Sequence, residues 1–234
     1  MSDTLSREDR AARLYEEVRN CQRCPLARTR TLAVPGEGPL NAEVLFIGEA
    51  PGMNEDKQGR PFVGQAGQFL SELLGAAGLT RDEVYICNVL KCRPPGNRDP
   101  LPNEIEQCRE YLDEQIDIID PLVIVTLGRY SMSRYFPQQA ISRIHGTVKQ
   151  IDGRYYVPMY HPAAALHQQS LRNTILDDFR GLPGVIARAR GQRPASEPAT
   201  SERVAPPEPD PVPEPEPAGL LAQPSKVEQI RLFD

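Results

Sequence analysis

Four cysteines pose the first chemical question. Two residues separate Cys21 from Cys24, and fifteen separate Cys92 from Cys108. A Cys-x-x-Cys turn aims both thiolates at one point, and four thiolates suit either zinc or an iron–sulfur cluster. The 67 residues between the two pairs make a compact zinc ribbon a poor fit. Spacing leaves the choice of metal open, with four unligated thiols as the plain alternative. Cys87 is different: within Tyr85-Ile86-Cys87-Asn88 it reads as a small core residue.

A second set of residues suits recognition of a planar ring. Gly48-Glu49-Ala50-Pro51-Gly52 follows an apolar run, and its glycines let backbone amides approach a ligand closely. Asn88 closes another apolar run, an unusual place for a buried amide, which can read a donor and an acceptor together. His161-Pro162 follows a third such run. Each signal alone is weak, since turn residues after strands are common and a lone histidine is more often structural.

Elements that could bring these residues together follow from periodicity. Residues 5–20 and 65–74 carry apolar positions at helical spacing, as does 103–119 with Ile105, Tyr111, Leu112, Ile116 and Ile119 on one side. Short apolar runs at 43–48, 84–90, 122–127 and 155–160 read as buried strands. Gly128 opens a turn into a short helix, and a last helix ends near Ala189, beginning at about Ala163 or Leu171. Strands alternating with helices predict an α/β fold with a largely parallel sheet of four strands. In such sheets the working loops lie at the carboxyl ends of the strands, where all three recognition segments fall.

Composition bounds the rest. The chain has 234 residues, 24 of them proline, and ten of those prolines lie between Arg193 and Pro224. From Gly191 onward there are 4 Lys/Arg and 8 Asp/Glu, leaving a net charge of −1 on residues 1–190 against −5 for the whole. We expect residues 1–190 to be the globular domain and 191–224 to be a disordered Pro/Glu-rich linker, because proline lacks a donor and fixes φ. A near-neutral body does not exclude nucleic acid. Arg23, Arg28, Arg30, Lys91, Arg93 and Arg98 are candidates for a local basic patch or for scattered solvated charges. No apolar run approaches the ~20 residues that span a bilayer, and no signal-peptide core opens the chain. The expectation is a cytoplasmic monomer, nucleoid-associated when on DNA, with no membrane partner, whose cysteines serve metal or catalysis rather than disulfides.

The motifs together resemble a known family. Gly48-Glu49-Ala50-Pro51-Gly52 with Glu55-Asp56, Arg60-Pro61-Phe62-Val63-Gly64, Tyr85 through Pro95, and Tyr160-His161-Pro162-Ala163 are similar in kind and order to the family-four, iron–sulfur uracil-DNA glycosylases. The resemblance covers about residues 10–190. It implies a three-layer α/β/α sandwich, a [4Fe-4S] cluster on Cys21, Cys24, Cys92 and Cys108, and removal of uracil from single- or double-stranded DNA. It implies that Phe62 stacks on the flipped base, Asn88 reads its edge, and His161 stabilises the leaving anion. Glu49 and the amide near Ala50 would line the pocket, and Glu55 would fill the space a thymine methyl needs. Ile141-Ser142-Arg143-Ile144-His145-Gly146 resembles the histidine loop of a relative that becomes covalently trapped on the sugar, which makes His145 the alternative nucleophile. A non-catalytic accessory protein is the other alternative.

Residues 225–234 restore apolar character at the end of the chain. Gln229-Ile230-Arg231-Leu232-Phe233 resembles the short peptide by which bacterial repair and replication proteins bind the sliding clamp. Gln229 would set register, with Leu232 and Phe233 as anchors. A chance terminal pentapeptide is the bland reading.

Overall fold

A computed structural model describes residues 5–192. Its sheet has the order β2-β1-β3-β5-β4, formed by β1 (Val44–Gly48), β2 (Tyr85–Asn88), β3 (Val123–Leu127), β4 (Lys149–Ile151) and β5 (Arg154–Met159). The four expected strands are parallel, and β1 and β3 are buried along their whole length. Continuous apolar runs follow from that placement, because helices cover both faces.

Alternate residues of each strand feed two cores. Leu45, Ile47, Tyr85, Cys87, Ile124 and Tyr156 face one layer, which holds α1 (Arg7–Arg19) and α4 (Pro102–Ile119). Val44, Phe46, Val84, Ile86, Val123, Val125 and Val157 face the other, with α3 (Gln65–Ala76), α8 (Leu171–Arg180) and α9 (Leu182–Gln192). The result is the expected three-layer sandwich. Cys87 is fully buried in the first core, as its strand position predicts.

The structure corrects the expected elements in three places. The sheet has a fifth strand, since β4 pairs antiparallel with β5 at the edge. The turn between them is Asp152-Gly153, both at positive φ, which suits a two-residue hairpin. Lys149 and Gln150 are exposed, so this strand has no apolar run to betray it. The last helix is three helices, α7 (Pro162–His167), α8 and α9, with breaks at Gln168–Ser170 and Gly181. Pro183 sits in the first turn of α9, where a missing N–H costs nothing. Two short helices, α2 (Met53–Gln58) and α6 (Ile141–Ile144), also lie outside the expectation, whereas the short helix after Gly128 is α5 (Arg129–Ser133). Residues 193–234, including Gln229, Leu232 and Phe233, lie outside the described residues.

Candidate active site and cysteine site

The carboxyl ends of β1, β2 and β5 bring the recognition residues to one edge. Gly48 and Asn88 are register partners across the β1–β2 pair. A Cβ on Gly48 would strike Asn88 Oδ1 and come within 2.6 Å of Phe62 Cζ. Glycine at 48 is therefore what lets the amide and the ring close over the strand end. The Phe62 and His161 rings stack with centroids 5.5 Å apart. Asn88 is 2% exposed, and its Oδ1 is a buried acceptor with no hydrogen-bond partner among the described residues. Such an atom costs about 1–3 kcal/mol unless something donates to it.

Phe62 holds a strained backbone, with φ of 53°. A bulky residue there costs on the order of 1–3 kcal/mol and persists only where its surroundings enforce it. Here Arg81 donates to the carbonyls of Pro61 and Phe62. Arg81 is fixed in turn by Glu37 at 2.5 Å, and Glu37 also binds Arg60 at 2.8 Å. Gly67 completes the brace, since a Cβ there would run into the Phe62 carbonyl. Sequence reasoning missed Glu37 and Arg81 altogether. Their partners are 44 residues apart, and nothing in local pattern links them.

Glu55 caps α2 and braces the same loop. One carboxylate oxygen accepts from the amides of Val63 (2.9 Å) and Gly64 (2.8 Å), the other from Gly52 (3.1 Å). A carboxylate held by three N–H groups cannot swing aside.

His161 is the N-cap of α7, and its Nδ1 accepts from Ala163 N at 3.2 Å. That bond leaves the ring proton on Nε2, so the free side of the imidazole is a donor. Burial pulls its pKa down to about 4, with Glu55 opposing weakly. The ring is therefore neutral at pH 7 and donates without carrying charge. Glu49 is half-buried just beyond Gly48. Burial raises its carboxyl above the usual range, nearby Asp99 adds to this, and Arg129 opposes. Ala50 follows, half-buried in the same loop. His145 Nδ1 pairs with Asp178 Oδ2 at 2.8 Å, and its ring lies against Tyr160, the residue before His161.

The four cysteines converge elsewhere, on a small cavity in the α1–α4 layer, which Arg30, Lys91 and Tyr111 also line. Cys21 and Cys24 follow α1, Cys92 follows β2, and Cys108 is on α4. Their sulfurs accept from N–H groups: Arg30 Nη1 on Cys92 (3.1 Å), Lys91 N on Cys108 (3.3 Å) and Arg23 N on Cys21 (3.5 Å). Burial raises the Cys92 thiol and pushes Cys108 up to about 11. Arg30 opposes the shift at Cys92 and Lys91 opposes it at Cys108. Among the described residues, no three His, Cys, Asp or Glu side chains are grouped as one metal ion requires. An all-thiol donor set around one cavity is the chemistry that zinc or an iron–sulfur cluster takes.

Fold and site together give an α/β/α sandwich with a braced polar pocket at the strand ends and an all-cysteine site. The family description "Uracil DNA glycosylase superfamily" matches residues 35–180. The type-4 uracil-DNA glycosylase of Sulfurisphaera tokodaii is 48% identical over 184 residues, which cover 74% of this chain and 83% of the relative. That of Archaeoglobus fulgidus is 46% identical, covering 71% and 88%, and that of Thermotoga maritima 44% identical, covering 78% and 98%. The chain belongs to the uracil-DNA glycosylase superfamily, in its type-4 branch.

Proposed function

We propose that this chain hydrolyses the N-glycosidic bond of uracil in DNA and leaves an abasic site, as a monofunctional glycosylase that begins base excision repair. The observation that carries the reading is the unpartnered Asn88 Oδ1 buried at the strand end beside Phe62. The N3–H of uracil is a donor that satisfies it, and the amide nitrogen suits the O4 acceptor. Cytosine offers an acceptor at N3 and a donor at C4, so it leaves both ends mismatched. A buried polar site of this kind discriminates strongly because the wrong ligand leaves it unpaired.

The roles follow from chemistry. The base leaves the helical stack, which costs least from single strands and mismatches. It stacks on Phe62, and Glu55 stands as an immobile wall against a 5-methyl group. As the C1′–N1 bond breaks, the electron pair moves into the ring and charge grows on O2. The neutral His161 Nε2–H stabilises that charge without giving up its proton. The Glu49 carboxylate favours the sugar cation and accepts a proton from the water that adds to C1′. Ala50 lines the pocket through its backbone.

The same reading assigns Cys21, Cys24, Cys92 and Cys108 to a [4Fe-4S] cluster. Its support is the all-thiol donor set, the N–H···S bonds and the convergence of the four cysteines on one cavity. When bound, the group supplies a crosslink between the end of α1, the loop after β2 and α4. The peptide Gln229–Phe233 is proposed to tether the enzyme to a sliding clamp through the 191–224 linker, which raises its effective concentration at new DNA. Among the described residues no helix is long and apolar enough to cross a membrane.

The test is one labelled single strand bearing one uracil, divided after incubation. Alkali should cleave the strand, and detergent should show no shifted band. A detergent-stable protein–DNA band would instead make His145 the nucleophile of a trapping protein. Neither band would leave an accessory protein whose tail is its main function.

A further inference from the structure

Lys91 is among the largest fully buried side chains, at 1% exposed. Its ammonium donates to the backbone carbonyl of Asn88 at 2.7 Å and to Gln115 Oε1 at 2.5 Å. Both partners are neutral oxygens. A buried charge without a counter-charge is costly, so it persists where the surroundings need it. Gln115 is held from its other end by donating to Pro35 O (2.6 Å) and Tyr85 Oη (3.1 Å), and Tyr85 meets Tyr15 at 2.8 Å. The ammonium therefore sits at the end of a buried polar chain that runs from α1 through β2 to α4.

The same residue faces the cysteine site. Lys91 lines that cavity with all four cysteines, its amide donates to Cys108 Sγ, and it directly precedes Cys92. Ligating thiolates are anions, which supply the missing counter-charge. Lys91 thus touches both functional regions: its backbone holds a cysteine sulfur, and its side chain grips the peptide of the residue that reads the base. The opposite side of that segment is pinned to the pocket loop, with Val89 N on Gly48 O (3.1 Å) and Leu90 N on Glu49 O (3.0 Å).

We propose that Lys91 is a positioning residue that couples the cysteine site to the base pocket: its buried ammonium, balanced by the ligating thiolates, fixes the Asn88 peptide and so aims the Asn88 amide. The proposal rests on the assignments of Asn88 and the four cysteines above. Misplacement of a recognition group by ~1 Å can cost on the order of a hundredfold in rate.

The test uses the full chain with its metal site loaded, Lys91→Met and, as a milder change, Gln115→Leu. Four quantities are read: iron and sulfide per protein, inhibition by free uracil, kcat, and KM for uracil-containing DNA. For Lys91→Met the expectation is retained iron, uracil inhibition weakened about tenfold or more, kcat down by a similar factor, and KM within about twofold. Gln115→Leu should move the same two quantities in the same direction by about threefold, and it decides the matter if Lys91→Met does not fold. A loaded Lys91→Met protein with uracil inhibition and kcat within twofold of the parent overturns the proposal. So does loss of iron with uracil inhibition unchanged, which would confine Lys91 to the cysteine site. Asn88→Ala separates the two levels: if it leaves uracil inhibition intact, the pocket assignment fails, whatever Lys91 does. A parent protein without iron and sulfide fails the cluster assignment.

Discussion

The base pocket and the cysteine site lie close in the sequence around residues 88–92 yet are built in opposite ways. The proposed pocket is braced throughout by the protein's own hydrogen bonds. Glu55 is held by three amides, Phe62 is forced into a left-handed backbone by Arg81 and Gly67, and His161 has its tautomer set by Ala163. One acceptor, Asn88 Oδ1, is left waiting. The cysteine site is a set of thiols rather than a braced cleft: burial raises Cys92 and Cys108, while Arg30 and Lys91 pull them the other way. The difference teaches that the pocket spends folding energy on preorganisation, whereas the cysteine site gains energy on binding. The matched superfamily region, 35–180, contains the whole pocket but begins after Cys21 and Cys24.

The sharpest way to break this contrast is to remove a group proposed to contact the leaving base. His161→Ala should lower single-turnover excision by ~10²–10³-fold, the usual loss for one donor to a developing anion. Asn88→Ala should approach that loss for uracil while narrowing the gap to cytosine. Both should keep the absorption of the metal site, because neither touches a cysteine. Full activity in both variants would mean that the pocket lies elsewhere.

Crowding the pocket from behind comes next. Gly48→Ala places a methyl group against Asn88 and Phe62. Overpacking of this kind costs about 1–3 kcal/mol, and excision should fall at least tenfold as the amide and ring are pushed off line. An unchanged rate with unchanged melting temperature would show that the strand end is pliable.

Cys92→Ser strikes the other region. It should bleach the metal-site absorption and lower the melting temperature. For a domain of this size each 1 kcal/mol is worth about 2–4 °C. Inhibition by free uracil among surviving molecules should weaken as well, because loss of the thiolates removes the charge that balances Lys91, whose ammonium holds the Asn88 carbonyl. A variant that kept its colour would remove Cys92 from the ligand set.

The smallest expected effect is on pH dependence. His161 has its pKa lowered to about 4 in the folded chain, below its ordinary value of 6.5. Between these values the unfolded chain binds the proton and the folded one does not, so stability falls as pH drops from 6.5 toward 4 and is unaffected by this group above 6.5. Excision should likewise stay flat down to about pH 5 on account of this residue. An acid limb centred at 6.5 that disappears in His161→Gln would show that the imidazole is solvated.

Much of the frame was legible because burial on two faces writes itself as uninterrupted apolar runs. Val44–Gly48 and Val123–Leu127 could be placed for that reason. Asn88 stood out as an amide where a strand should be apolar. β4 was hidden because its outward residues are polar and it is three residues long, although Asp152-Gly153 is a hairpin signal that could have disclosed it. The Glu37–Arg60–Arg81 brace was not readable, since charged residues at those spacings look like any solvated surface.

By itself the sequence determined the parallel α/β frame and marked out the candidate residues and the four thiols, because periodicity and rare residue types are local properties of the chain. Only the tertiary structure decided that Glu55 is locked by the 63–64 amides, that Phe62 is held at positive φ, that His161 presents Nε2, and that a buried lysine lies between the two sites. Those facts depend on which distant atoms share a desolvated space, and no local pattern records that.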